Sequence, residues 1–120
     1  MTGQDGDPTA LAEDTAAMER RAQLRAALAI VARMAGVAEV PAETPDEIAR
    51  RADAYRRATP TARRRLDALA AEAGAFASAG IAALIRHRDT TGRDCAPAAS
   101  QLMLEMRRAI AAMDRLAPLG

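Results

Sequence analysis

PTARRRLDALAAEAGAFASAGIAALIRH, residues 60–87, is the stretch that decides the fold. It begins with a proline directly after Thr59, which is the usual order of a capping hydroxyl and a first helical residue. Small and apolar residues then recur at alternating steps of four and three, the repeat of a helix that packs along other helices. They are Ala62, Leu66, Leu69, Ala73, Phe76, Gly80 and Ala83. The pattern predicts a long helix over residues 60–87 that forms the axis of the structure.

Residues 73–85 of this helix, AGAFASAGIAALI, carry no charge. The run is shorter than the roughly 20 residues that a membrane-spanning helix needs, so we expect no membrane partner. We instead expect it to be the most buried segment of the chain. Gly74 and Gly80 should each weaken the helix by about 0.5–1 kcal/mol relative to alanine. Close approach of a neighbouring backbone would explain why glycine stands there.

Three further helices are predicted from similar capping residues, prolines and glycines. A capping residue and a proline occur together at Asp7-Pro8 and Thr44-Pro45, and Pro97 opens a last helix behind a weaker cap. Glycine at positions 36 and 92 provides stops. The predicted spans are residues 8–35, 45–58 and 97–116.

Each predicted helix has an apolar line at helical spacing. The first has Leu24, Leu28 and Val31, and the short second helix has Ile48, Ala52 and Tyr55. The last helix continues the four-three repeat through Ala99, Leu102, Met106, Ala109, Met113 and Leu116. Its methionines are more typical of a helical core than of a binding groove at this spacing.

Composition supports the same fold class. The chain has 120 residues, half of them hydrophobic, and its aromatic side chains are Tyr55 and Phe76 alone. We predict an all-α antiparallel bundle of about four helices, three long and one short. Residues 1–7 should form a flexible N-terminal tail and residues 8–120 a single helical domain. Sustained four-three repeats of small residues also favour a homodimer.

Charge and cysteine content limit the classes of function. The net charge is +1, which gives no overall field that would attract a polyanion. All 17 basic residues are arginine, which fits both the codon bias of a GC-rich genome and selection for bidentate contacts. Cys95 is the single cysteine and the N-terminus is acidic and polar, so we expect a cytoplasmic protein.

The densest group of reactive side chains is HRDTTGRDC, residues 87–95. Its one histidine and one cysteine do not have the paired spacing of a zinc site, so a solvated loop without a metal is favoured. The sequence also lacks a glycine-rich phosphate loop and the motif of a nucleophile elbow around Ser78. It therefore favours a protein that is not an enzyme and binds no cofactor.

The stretch EIARRADAYRRATPTARRRLDALAAE, residues 47–72, resembles helix-turn-helix DNA-binding motifs. The resemblance covers about a fifth of the chain and implies DNA contact from the start of the second helix. The implied contact residues are Thr59, Thr61, Arg63 and Arg64. The first helix is about three residues too long for the motif, and residues 53–55 stand where its turn with glycine is common.

Acid-first pairs at a spacing of four residues should neutralise much of the second helix. These pairs are Asp46 with Arg50, Glu47 with Arg51, and Asp53 with Arg57. In the third helix Arg63 and Arg64 can reach Asp67, which leaves Arg65 unpaired.

Residues 20–38 contain arginines and no acid at all. Their charge must be balanced either by Glu39 and Glu43, folded back within this chain, or by an acidic surface on another molecule. The candidate contacts to a partner or to phosphate are Arg20, Arg21, Arg25, Arg33, Arg63, Arg64 and Arg65. We expect a small protein–protein interaction or regulatory protein, an adaptor or subunit that acts through its helical faces. The alternative is a nucleic-acid-associated protein that uses these arginines against phosphates.

Overall fold

The computed structural model describes residues 8–37 and 41–119, and it confirms the all-α bundle. Its four helices are α1 (Pro8–Met34), α2 (Pro45–Arg57), α3 (Pro60–Thr91) and α4 (Ala96–Leu116). No β-strand occurs in the described part of the chain. The predicted tail, residues 1–7, lies outside the described residues.

The helix ends follow the predicted punctuation. Thr44 and Glu47 form a reciprocal capping box at the start of α2, and the Thr59 hydroxyl accepts a hydrogen bond from the amide of Ala62 at the start of α3. Gly36 ends α1 with φ 73° and Gly92 ends α3 with φ 68°, a conformation that favours glycine. These local signals fix where each helix starts and stops.

Helix α3 is one turn longer than predicted. It continues past His87 to Thr91, and the Thr91 hydroxyl donates to the His87 carbonyl oxygen at 2.7 Å. The expected loop of residues 87–95 therefore shrinks to residues 92–95. The reason is that Gly92 is the first glycine after His87, and it ends the helix in the left-handed conformation with φ 68°.

The helices alternate in direction along the chain. Residues 92–95 turn α3 back into α4, and α1 runs antiparallel to α4 because Arg21 contacts Asp114 while Leu28 lies beside Arg107. Helix α2 forms the return path from the end of α1 to the start of α3. The resulting bundle is elongated, with extents of 62 × 23 × 20 Å.

The core is formed by one line of side chains from each long helix. Helix α1 supplies Leu24, Leu28 and Val31, and α4 supplies the predicted seam with its fully buried methionines Met106 and Met113. The predicted apolar lines of α1 and α4 are thus confirmed. In α2 only part of the predicted line is covered, since Tyr55 is buried and Ile48 is exposed.

The buried line of α3 differs from the predicted seam. The buried residues are Leu66, Ala70, Ala77 and Leu84, whereas the predicted Phe76 and Ala83 are exposed. Almost every residue of this segment is apolar or small, so the sequence pattern does not favour one face over its neighbour. Packing against α1 and α4 selects the face.

The expectation that residues 73–85 are the most buried segment is wrong. Within that run only Ala77 and Leu84 are buried, and Phe76 is 53% exposed. By length and composition alone α3 also reaches the threshold for a membrane-spanning helix, and only 22% of its most apolar stretch is buried. Helices α1 and α4 cover one side of α3, and α2 is too short to cover the other.

The two glycines of α3 have different surroundings. A Cβ atom built on Gly80 would lie 2.8 and 2.9 Å from the two Cδ atoms of Leu102, so α4 approaches closely there through a side chain. A Cβ atom on Gly74 meets nothing within 4 Å. The close approach predicted for both glycines therefore holds at Gly80 alone, and it involves a side chain instead of backbone.

We expect Gly80→Leu to lower the free energy of unfolding by about 1–3 kcal/mol, because the larger side chain displaces Leu102 from the core. Urea denaturation followed by circular dichroism measures the change. Gly74→Ala is the control and should stabilise the protein by about 0.5–1 kcal/mol through helix propensity. An unchanged denaturation midpoint for Gly80→Leu would contradict the packing described for α3 and α4.

Candidate functional site

Arg21 is the one charged residue among the buried side chains of the described chain, with 4% exposure. Its Nε and one terminal nitrogen each donate to a carboxylate oxygen of Asp114, both at 3.0 Å. The other terminal nitrogen donates to Glu43 Oε1 at 2.6 Å. Arg51 adds a contact to Asp114 at 3.4 Å. This four-residue ion network joins α1, the segment before α2, α2 itself and α4.

The surroundings of Arg21 keep it charged. Burial disfavours the charged guanidinium and by itself would lower the pKa of Arg21. Hydrogen bonds and charge from Asp114 and Glu43 outweigh burial, so the pKa of Arg21 is raised. A raised pKa means that the stabilisation is present below the unfolded-state pKa and is lost only as the pH rises through the folded value. Arg21 therefore contributes fully at neutral and acidic pH as long as its carboxylate partners are ionised.

This network shows which acidic groups balance the charge of Arg21. Of the two alternatives, an acid folded back in the same chain or an acidic partner molecule, the first holds for Arg21 through Glu43. Asp114 was not anticipated, because it lies 93 positions away in sequence. Glu39 lies outside the described residues. With both faces of its guanidinium fork engaged, Arg21 is not available to phosphate in this structure.

The other candidate contact arginines of α1 differ from Arg21 in burial and in hydrogen bonding. Arg25 is partly buried and donates to the carbonyl oxygen of Pro41 at 3.1 Å, while its buried Nε has no hydrogen-bond partner among the described residues. Arg20 and Arg33 are exposed. Arg25 thus holds the segment before α2 against α1, and only Arg20 and Arg33 of this group reach solvent freely.

The three arginines at the start of α3 also differ in their contacts and exposure. Arg63 donates to the carbonyl oxygens of Arg56 and Ala58 at 3.1 and 2.6 Å, and so caps the end of α2. Arg64 and Arg65 are exposed, with Arg64 3.4 Å from the Thr61 hydroxyl. Because Arg63 is bound to these backbone carbonyl oxygens, Arg64 and Arg65 are the arginines of this cluster that remain on the surface.

Asp67 does not pair with Arg63 or Arg64 as the sequence spacing predicted. Its carboxylate accepts hydrogen bonds from the Tyr55 hydroxyl at 2.9 and 3.1 Å. Tyr55 is buried, so its hydroxyl needs a polar partner. Asp67 supplies one and links α2 to α3.

None of the three acid-first pairs predicted in α2 is among the ion pairs of the described residues, and members of two of these pairs make other contacts. Glu47 closes the capping box with Thr44, and Arg51 reaches across to Asp114. Asp53 pairs with Arg56, three residues along. Capping and tertiary contacts compete successfully with weak surface pairs, each of which stabilises by only about 0.2–0.5 kcal/mol.

The geometry departs from a helix-turn-helix motif where the sequence departs from it. Residues 53–55 lie inside α2, and Ala54 and Tyr55 are buried. The break falls at residues 58–59, next to the cap that Arg63 provides. Of the contact residues that the resemblance implies, Arg63 is therefore engaged in holding the two helices together.

Sequence reasoning missed an uncovered apolar surface, which is the side of α3 that faces away from the core. Its centre is a line of six exposed residues spaced four and three apart, here called the outer face. They are Ala68, Glu72, Ala75, Ala79, Ala82 and Arg86. Phe76 and Ile85 flank this line with 53% and 38% exposure. The uncharged run was a signal for this surface, but it was interpreted as core.

A cleft of about 360 Å³ borders the outer face between α3 and α4. Its floor includes Leu69, Ala73 and Met106, and Phe76 stands at its edge. Glu72 and Glu105 also line it. The cleft is open and mostly apolar, which suits contact with an apolar side chain of a partner.

The described residues contain no group of three or more histidine, cysteine or acidic side chains that could hold a metal ion. Cys95 is buried with a free thiol at the start of α4. In comparisons with protein-family models, curated proteins and solved structures, nothing matches this chain.

We expect Arg21→Met to lower the free energy of unfolding by about 3 kcal/mol, because it leaves Glu43 and Asp114 partly buried without their main partner. The estimate is at the lower end for a broken buried pair since Asp114 keeps Arg51. Urea denaturation provides the measurement. Arg20→Met removes the neighbouring exposed arginine and should change stability by less than about 0.5 kcal/mol. Equal effects of the two variants would contradict the structural role of the network.

Proposed function

We propose that this chain is a small protein–protein interaction or regulatory protein, an adaptor or subunit, that binds its partner through the outer face of α3. The observation that carries the proposal is that residues 73–85 have no charge and yet are mostly exposed. Apolar surface in water costs about 25 cal/mol per Å². Covering it with a protein partner recovers that free energy.

The side chains around the outer face support a specific contact. Phe76 and Ile85 are large apolar residues on opposite sides of a line of alanines. Contiguous exposed apolar patches on water-soluble proteins commonly mark interaction sites. Alanines let a partner helix approach closely, and the larger flanking residues add apolar contact area.

A protein partner suits this surface better than a lipid bilayer does. Glu72 and Glu105 line the same cleft as Phe76, near the middle of α3. Arg107 and Arg108 are exposed on α4, which packs along α3. If the intact bundle entered a membrane, these charges would enter it too, at a cost of several kcal/mol. A cytoplasmic location remains part of the proposal and agrees with the buried free thiol of Cys95.

Site-specific photo-crosslinking in the native host tests the proposal. A benzophenone amino acid in place of Ala79 should form a discrete protein adduct, identified by mass spectrometry. The control is the same replacement at Ala49, an exposed alanine on α2. Excess wild-type protein should compete with adduct formation, and Ala79→Arg protein of equal helicity should not. No adduct at position 79 above the level at position 49 would reject the proposal.

The alternative function is association with nucleic acid through exposed Arg64 and Arg65, next to Thr61 in the first turns of α3. We expect duplex binding through them to be sequence-indifferent and no tighter than about 10⁻⁴–10⁻⁶ M at physiological salt. Fluorescence anisotropy with random and genomic duplexes over a salt series measures it. Nanomolar binding to one sequence that Arg64→Ala abolishes would favour the alternative over the protein partner.

A further inference from the structure

The outer face of α3 carries two charges of opposite sign at equal distances from Ala79. Glu72 lies seven residues before Ala79 and Arg86 lies seven residues after it. Both side chains are exposed, and neither forms an ion pair within the described chain. Because seven residues are two helical turns, both charges point in nearly the same direction as Ala79.

A helix face with this order is complementary to itself when a second copy is turned end to end. A two-fold axis through Ala79 brings Glu72 of each copy opposite Arg86 of the other and creates two equivalent ion pairs. A parallel arrangement would instead place Glu72 opposite Glu72 and Arg86 opposite Arg86, which is repulsive.

The residues between the charges permit the helices to meet closely. Ala75, Ala79 and Ala82 are exposed and present only methyl groups. From Ala68 to Arg86 the face extends about 27 Å at 1.5 Å per residue. Contact of this length buries an apolar face in the centre and leaves the ion pairs at its rim, which is the usual arrangement of a protein interface.

We propose that the partner of the outer face is a second copy of this chain, packed antiparallel along α3 about a two-fold axis at Ala79. This inference rests on the proposed function and identifies the partner. The rim charges select the orientation, since the apolar centre by itself does not distinguish a parallel from an antiparallel pair.

Sedimentation equilibrium of the purified chain from about 1 to 100 µM tests the association, a range chosen to span micromolar dissociation constants. The wild-type protein should be a dimer at the upper end. Ala79→Arg should remain monomeric with unchanged helicity by circular dichroism, because two arginines meet at the axis. Ala49→Arg, at an exposed position on α2, is the control and should dimerise as the wild type does. A wild-type protein that is monomeric throughout would overturn the inference.

Charge exchange tests the antiparallel orientation. Glu72→Arg and Arg86→Glu should each weaken the dimer about tenfold or more, because two attractive pairs become repulsive. An equimolar mixture of the two variants should dimerise as tightly as the wild type, since every pair across the axis is again opposite in charge. The double variant Glu72→Arg/Arg86→Glu should do the same by itself. Single variants that dimerise as tightly as the wild type would overturn the antiparallel arrangement.

Disulfide formation locates the axis. In a Cys95→Ala background, Ala79→Cys should oxidise readily to a covalent dimer, because the two-fold axis brings the new thiols together. Ala68→Cys should not, because position 68 of one copy lies far from position 68 of the other. Crosslinking of both variants would indicate a parallel pair and overturn the inference.

The results separate this inference from the proposed function. If the purified chain is monomeric while the crosslinker at position 79 forms an adduct with a different protein, the outer face is an interaction surface and the self-association is wrong. If the chain is monomeric and position 79 forms no adduct, both are wrong. An adduct of twice the chain mass that Ala79→Arg protein fails to compete supports both.

Discussion

The buried ion network around Arg21 is the constraint on which the arrangement of the helices depends. A guanidinium with 4% exposure is tolerated because Asp114 and Glu43 accept hydrogen bonds from all three of its nitrogens. These two carboxylates come from the end of α4 and from the segment before α2. The chain must therefore turn back after α1, and α4 must end beside the middle of α1. The bidentate contact with Asp114 is directional and ties α4 to α1 at this point, whereas an apolar residue at position 21 would make no directional contact.

That register leaves α3 covered on one side only. Helix α1 and helix α4 meet α3 along Leu66, Ala70, Ala77 and Leu84, while the short α2 is fixed near the start of α3 by the Tyr55–Asp67 hydrogen bonds. A fourth long helix would complete the bundle, and the described residues do not supply one. The proposed interaction surface is thus a consequence of the fold: it is the site where a fourth helix would pack. A second copy of α3 fits that site because its charges are exchanged about Ala79.

Much of the positive charge that first attracts attention in the sequence has a structural use. Arg21 and Arg51 contact carboxylates, and Arg63 and Arg25 bind backbone carbonyl oxygens of the connecting segments. Arginine suits both tasks because its planar fork offers several donors at fixed angles. The arginines that remain exposed occur on all four helices.

The sequence by itself determined the helices, their order and nearly all of their ends. Capping residues, prolines and Gly36 and Gly92 act over a few positions, so local chemistry is enough to place them. The apolar lines of α1 and α4 could also be predicted from the sequence, because large apolar side chains there alternate with charged ones. In residues 73–85 every position is small or apolar, so periodicity could not show which face is buried or that most of the run is exposed. Only the tertiary structure decided that, together with the partners of Arg21 and Asp67, because those contacts join residues far apart in sequence whose proximity no local spacing encodes.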